Sequence, residues 1–199
     1  MSKLTNSITR LSTTASNFEQ QLNQLLRREM LVEKEVTEVV GNILADVKLR
    51  GDQAVVDFTN QFDGYKVQSI KELIVSSGQL QNSLASLSNE QRQSLTHAAE
   101  RIKSYHEKQK QSSWQYKEAD GSVYGQKISP LERVGIYVPG GKANYPSSVL
   151  MLAIPAQVAG VNEIIATVPT PYGDDGKLIF AAAALAGVSQ LYTVGGAQA

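Results

Sequence analysis

Two glycine turns, Pro139-Gly140-Gly141 and Gly195-Gly196, are the residues of this chain whose types and spacing best suit holding a ligand. Tyr137 stands in Glu132-Arg133-Val134-Gly135-Ile136-Tyr137-Val138, a run that stops abruptly at Pro139-Gly140-Gly141. Gln198 follows the second turn in Gly195-Gly196-Ala197-Gln198. Glycine lets the backbone take a positive φ or approach another group closely. N–H groups in such turns and at helix starts suit an anion such as a pyrophosphate. Tyr137 offers a ring and a hydroxyl, and Gln198 offers a donor and an acceptor, so both can orient a ligand but supply neither base nor nucleophile. Ser147 and Ser148, beyond the first turn, are expected to cap a helix whose N–H groups face an anion. Blander readings stand beside these: Tyr137 as a core or half-buried strand residue, Gln198 as a plain polar group at a helix start, and the glycines as turn formers.

The remaining candidates for chemistry carry less. His97 and His106 are the two histidines, and a single histidine on a helix is more often packed or solvated than catalytic. A catalytic zinc takes about three protein ligands, and neither histidine has the spacing or neighbouring carboxylates for such a cluster. Asp174-Asp175 lie in a glycine-flanked loop and read as solvated turn residues; Glu33, Glu35 and Glu38 read as a charged helix face. With no cysteine, disulfides and thiolate metal sites are excluded. This segment is therefore expected to hold neither the catalytic residues nor a metal site.

The elements that must position the glycine turns follow from the apolar pattern. Strands over 134–138, 163–168 and 190–194 alternate with helices over 147–159 and 177–186, a βαβαβ series that implies a parallel sheet with right-handed crossovers. The run 134–138 reads as a buried strand, and 149–156 as a buried helix. In open parallel sheets ligands sit beyond the carboxyl ends of the strands. Those ends carry Pro139-Gly140-Gly141, Pro169-Thr170-Pro171 and Gly195-Gly196-Ala197-Gln198, so the two glycine turns face one side. No G-x-G-x-x-G fingerprint is present, and no acidic residue ends the second strand to hold a ribose.

Upstream, Trp114-Gln115-Tyr116-Lys117 and Ser122-Val123-Tyr124-Gly125 flank Asp120-Gly121, a hairpin signal. The first part of the chain reads as amphipathic helices, expected to pack as a separate layer or domain. Ser16-x-x-Glu19 and Ser88-x-x-Gln91 have capping-box spacing, Gly51 and Gly64 are stop signals, and Leu73-Ile74-Val75 is a short strand candidate. The expected organisation is an N-terminal helical arm over 1–30, the first part of an α/β domain with helices and a hairpin over 31–133, and a truncated Rossmann-like nucleotide-binding domain over 134–199.

Composition narrows the partners. The chain has 19 basic and 19 acidic residues and 42% hydrophobic residues. That balance, without a basic tract interleaved with aromatics, argues against nucleic acid. Its longest apolar run falls well short of the roughly 20 residues a membrane span needs. A cytoplasmic location is expected.

The run from Glu132 to Ala156, continuing through Ala159-Gly160-Val161, Val168-Pro169 and Val194-Gly195-Gly196-Ala197-Gln198-Ala199, closely resembles the signature of histidinol dehydrogenases. Gly51-Asp52, Thr59, Phe62-Asp63-Gly64, Arg101-Ile102 and His106 extend the likeness upstream. The resemblance implies an α/β, aldehyde-dehydrogenase-like fold with an incomplete Rossmann-like parallel sheet. It also implies an NAD- and zinc-dependent oxidation of L-histidinol, through histidinal, to L-histidine. Tyr137 and Gln198 then match the family's dinucleotide contacts, with Pro139, Gly140 and Gly141 lining the same groove. The zinc ligands, the Glu-His acid/base pair and the substrate contacts belong to the family's second half, so the resemblance makes this chain the N-terminal part of a homodimeric enzyme, inactive alone. Two other readings are a related aldehyde-dehydrogenase-like oxidoreductase and a fragment that associates without catalysing anything.

Overall fold

The computed structural model of the chain describes residues 10–140, 145–170 and 176–199, with backbone alone for 27–33. Gly141, Pro171, Asp174, Asp175 and the side chain of Glu33 thus lie outside the described residues. The chain forms two compact units, Met1–Asp46 and Val47–Ala199.

The first unit contains most of helix α1 (Phe18–Arg50), which runs unbroken across residue 30. It starts one residue later than a Ser16 cap would place it: Phe18 N–H donates to the Ala15 carbonyl and Gln21 N–H to the Asn17 carbonyl. Leu22, Val36, Val40 and Ile43 keep the three-to-four-residue spacing of a helical stripe, and Ile43 is buried while Leu25, Leu26, Val36 and Val39 are exposed.

In the second unit Gly51 (φ 59°) breaks α1 from α2 (Asp52–Asp63), and α2 ends at Gly64 in the left-handed region (φ 71°). A 3-10 turn, Ile70–Leu73, leads into β1 (Ile74–Val75), followed by α3 (Ser77–Ala85) and α4 (Asn89–Glu107). Both of these helices start on capping boxes, the Ser88–Gln91 pair that the spacing predicts and a second, Ser76–Gln79. Strands β2 (Trp114–Lys117) and β3 (Val123–Gln126) form the expected hairpin, Tyr116 opposite Tyr124. Its turn is closed by a Ser122 N–H to Asp120 Oδ1 bond of 2.8 Å, with Gly121 at φ 92°.

The functional half then alternates as expected: β4 (Arg133–Tyr137), α5 (Pro146–Ala159), β5 (Glu163–Thr167), α6 (Lys177–Leu185), β6 (Gln190–Tyr192) and a 3-10 turn, Gly196–Gln198. The sheet order is β1-β6-β5-β4, with β4, β5 and β6 parallel and β1 added antiparallel to β6. The architecture is thus mixed α/β with a parallel sheet. The short strand at residues 74–75 and the sheet share one body, because α3 packs on α6 and α4 on α5.

Two expectations about burial are corrected. Strand β4 is not a buried strand: Val134 and Ile136 are half-buried, whereas Arg133, Gly135 and Tyr137 are exposed. The reason is one-sided cover. Val134, Ile136, Ile164, Ala166 and Leu191 belong to the core formed with α5 and α6, which touch each other. The alternate residues of the same strands point to the other face. Helix α5 likewise buries only part of its apolar run: Val149, Leu150, Ala153 and Ile154 are in the core, while Met151 is 61% exposed.

Candidate functional site

The three parallel strands end in step, and this brings the glycine turns together. The ladder extends one residue past each strand, Val138 N–H donating to the Thr167 carbonyl and Val168 N–H to that of Tyr192, both at 2.9 Å. Pro139-Gly140, Pro169-Thr170 and Gly195-Gly196 therefore emerge side by side. A Cβ on Gly140 would lie 2.6 Å from the Pro169 carbonyl oxygen, and one on Gly195 would lie 2.4 Å from the Pro169 Cβ. Contact with Pro169 explains both glycines, since a side chain at either position would occupy space that the proline already fills. At Gly196 the reason is backbone conformation, with φ at 66°.

Tyr137 closes this arrangement from β4. Its hydroxyl accepts the Gly196 N–H at 3.3 Å, and the residue is 48% exposed, so it reaches from the end of β4 to the second glycine turn while remaining open to solvent. Gln198 sits two residues further on, 4% exposed, and neither amide atom has a hydrogen-bond partner. A buried amide with both ends unmatched is costly, on the order of 1–3 kcal/mol per group.

Several polar residues are buried near this end of the sheet without a binding role read for them from the sequence. Thr170 is buried, and both its carbonyl and its hydroxyl meet the Tyr65 hydroxyl, the latter at 2.7 Å. Thr193 donates through its N–H and its hydroxyl to the Leu73 carbonyl, tying the end of β6 to the turn before β1. On α2, Thr59 is fully buried, and its hydroxyl has no partner; one carboxylate oxygen of Asp63 is also buried and unpaired. The available signal was positional: Thr59 and Asp63 follow the buried Val56 by three and seven residues and so share its helix face.

Desolvation raises the Asp63 pKa above the usual carboxylate value. The sign of its effect on stability follows directly. A raised folded pKa means that the folded state disfavours the ionised form, so stability declines as pH rises from the ordinary carboxylate value through the folded one. Asp63→Asn is therefore expected to raise the melting temperature at neutral pH, with the gain vanishing below the ordinary carboxylate pKa. Melting curves of the two proteins across pH check this; a neutral-pH loss would contradict it.

The other sequence candidates do not join the site. Ser147 and Ser148 lie inside the first turn of α5, which is capped by Tyr145 without a side-chain bond and has Pro146 at its first position. The expected serine cap is thus corrected: Pro146 is already helical, so the boundary falls before the serines. His97 and His106 are nine residues apart on α4, which separates them by about 13 Å along the axis. His106 Nδ1 is bonded instead to Gln109 Oε1 at 2.6 Å. Among the described residues no group of three His, Asp or Glu side chains is gathered to hold a metal ion.

A groove of about 550 Å³ opens elsewhere, against the hairpin, lined by Ser113, Trp114, Gln115, Val123, Gln126 and Lys127. None of Tyr137, Gly140, Gly195, Gly196 or Gln198 belongs to its lining, which is drawn from the hairpin strands and the residues beside them.

The model of the family described as histidinol dehydrogenase matches residues 26–199. The chain is 52% identical over 192 residues to histidinol dehydrogenase of Pseudomonas savastanoi pv. phaseolicola, and 52% to that of Dechloromonas aromatica, covering 96% of this chain in each case. It spans 43% and 44% of the length of those relatives. The fold matches a crystal structure of histidinol dehydrogenase from Elizabethkingia anophelis with a TM-score of 0.73 at 32% identity, over 82% of this chain and 37% of that one.

Proposed function

The chain belongs to the histidinol dehydrogenase family, and from that premise we propose that it supplies the dinucleotide-binding part of an enzyme that oxidises L-histidinol through histidinal to L-histidine with NAD. The observation that carries the proposal is the meeting of Tyr137, the Gly195-Gly196 turn and the unmatched Gln198 amide at the ends of three parallel strands. In this reading the sheet is the Rossmann-like part of an aldehyde-dehydrogenase-like fold, placed mainly in residues 134–199.

The residues suit the cofactor. Bound NAD would supply the hydride acceptor. Tyr137 would orient the dinucleotide through its half-exposed ring and hydroxyl, and Gln198 would offer the amide donor and acceptor that now lack partners. Pro139 and Gly140 would line the groove beside them. Orientation of this kind lowers a barrier by fixing geometry and moves no proton. The described residues do not fit a catalytic zinc; its ligands, and the acid and base, are assigned to other parts of the parent enzyme. A homodimer and a cytoplasmic location complete the proposal; among the described residues no helix is long and apolar enough to cross a membrane.

The test is NAD affinity in the full-length protein. Gln198→Ala is expected to weaken NAD binding by about tenfold, the scale of one or two lost hydrogen bonds, and Tyr137→Ala by at least as much. Calorimetric titration measures both. Wild-type affinity in the two variants would remove Tyr137 and Gln198 from the site.

A further inference from the structure

The Pro169-Thr170 segment beyond β5 stands between the two glycine turns, its proline carbonyl against Gly140 and its proline ring against Gly195. Its setting therefore fixes how the turns lie relative to each other. Val168 N–H ties the segment to the sheet through the Tyr192 carbonyl, but Pro169 has no N–H with which to continue the ladder. Thr170 is held instead from 105 residues upstream. The Tyr65 hydroxyl donates to the Thr170 carbonyl and meets the Thr170 hydroxyl at 2.7 Å. A phenol carries one proton, so the threonine hydroxyl donates the second bond. The carbonyl and hydroxyl of a residue that is 3% exposed are thus matched by one oxygen.

Tyr65 is itself fixed in place. Gly64 ends α2 in the left-handed region, at φ 71°, and turns the chain off the helix. The Asn60 side chain then grips the backbone two residues beyond Tyr65. Its Nδ2 donates to the Val67 carbonyl at 2.8 Å, and its Oδ1 accepts the Val67 N–H at 2.9 Å. Two bonds to one residue give the segment after α2 a defined place beside that helix, and Tyr65 carries this fixed point across to the end of β5. A phenylalanine would supply the ring without the hydroxyl, leaving the buried Thr170 groups without this partner, so packing alone does not account for a tyrosine there.

We propose that Tyr65 is a positioning residue for the dinucleotide: by anchoring Thr170 it keeps Pro169 between the glycine turns in the arrangement that binds NAD. The inference rests on the dinucleotide reading of those turns. Tyr65 acts through Pro169-Thr170 and needs to touch neither cofactor nor substrate. Without the anchor the turns spend part of their time in other arrangements, and the apparent dissociation constant rises by the inverse of the competent fraction.

The experiment uses the full-length enzyme, with NAD affinity from calorimetry well below the melting temperature and the KM values for NAD and for histidinol measured separately. Tyr65→Phe is expected to raise the Kd and KM for NAD about five- to tenfold, the scale of one or two lost hydrogen bonds, with the KM for histidinol unchanged. Should Tyr65→Phe fail to fold, Asn60→Ala decides the matter. That change keeps the Tyr65 hydroxyl but removes the grip on Val67, and it is expected to raise the Kd for NAD about two- to fivefold. A purely structural tyrosine predicts otherwise: Tyr65→Phe would lower the melting temperature and leave NAD affinity intact. An equal rise in both KM values would mark general damage and would also overturn the inference. If Tyr137→Ala weakens NAD binding and folded Tyr65→Phe does not, this inference falls and the dinucleotide reading stands. If Tyr137→Ala and Gln198→Ala bind NAD normally, both fall.

Discussion

Gly195→Ala is expected to lower stability by about 3 kcal/mol, the upper part of the range for overpacking a filled site, and to abolish NAD binding at accessible concentrations. The added Cβ would lie 2.4 Å from Pro169 Cβ and 2.7 Å from its Cγ. The proline ring is rigid, and it has little room to retreat because its carbonyl already lies against Gly140 on the neighbouring strand end. Backbone strain plays no part, since Gly195 has φ −135° and ψ −169°, an extended conformation open to any residue. Relief must therefore come from moving a whole turn. That movement would separate the Gly196 N–H from the Tyr137 hydroxyl and shift Gln198, so folding and affinity fall together. For a protein of this size the loss corresponds to roughly 6–12 °C in melting temperature. Gly135→Ala is the control: a Cβ there meets nothing within 4 Å, and its melting temperature should stay near that of wild type. Equal melting temperatures for Gly195→Ala and wild type would show that the turn yields easily and that the contact with Pro169 does not constrain the site.

The 199-residue chain alone, given NAD, zinc and histidinol at saturation, is expected to form NADH at least about 10⁴-fold more slowly than the full-length enzyme, the contribution general acid–base catalysis alone can make. Its proposed site residues orient but do not transfer protons, and the described histidines stand too far apart to share an ion. Absorbance at 340 nm, with the fragment and the full-length protein side by side, measures the difference. Turnover that scales with fragment concentration, survives a purity check by mass spectrometry and is lost on changing His97 or His106 would move the chemistry onto α4.

The sequence by itself determined the order of the elements from residue 114 onward, the parallel pairing of three strands and the convergence of the glycine turns. These follow from local signals: β-forming runs ending at Pro-Gly or Gly-Gly, apolar helices between them, and a chain direction that puts every strand's carboxyl end on the same side. The capping box at Ser88 and the hairpin at Asp120-Gly121 are legible for the same reason, since each is decided by a few neighbouring residues. Tyr137 and Gln198 stood out through the signature around them.

Tertiary structure alone decided what depends on distant packing. That β4 is half open, although its residues suit a buried strand, reflects α5 and α6 lying against the same face. Whether Gly140 and Gly195 serve φ or contact could not be read from a glycine's presence, because both roles select the same residue; the nearness of Pro169 settles it as contact. Only the folded surroundings leave Thr59 Oγ1, Asp63 Oδ2 and the Gln198 amide buried without partners, since hydrogen-bond satisfaction is a property of those surroundings and not of the residues themselves.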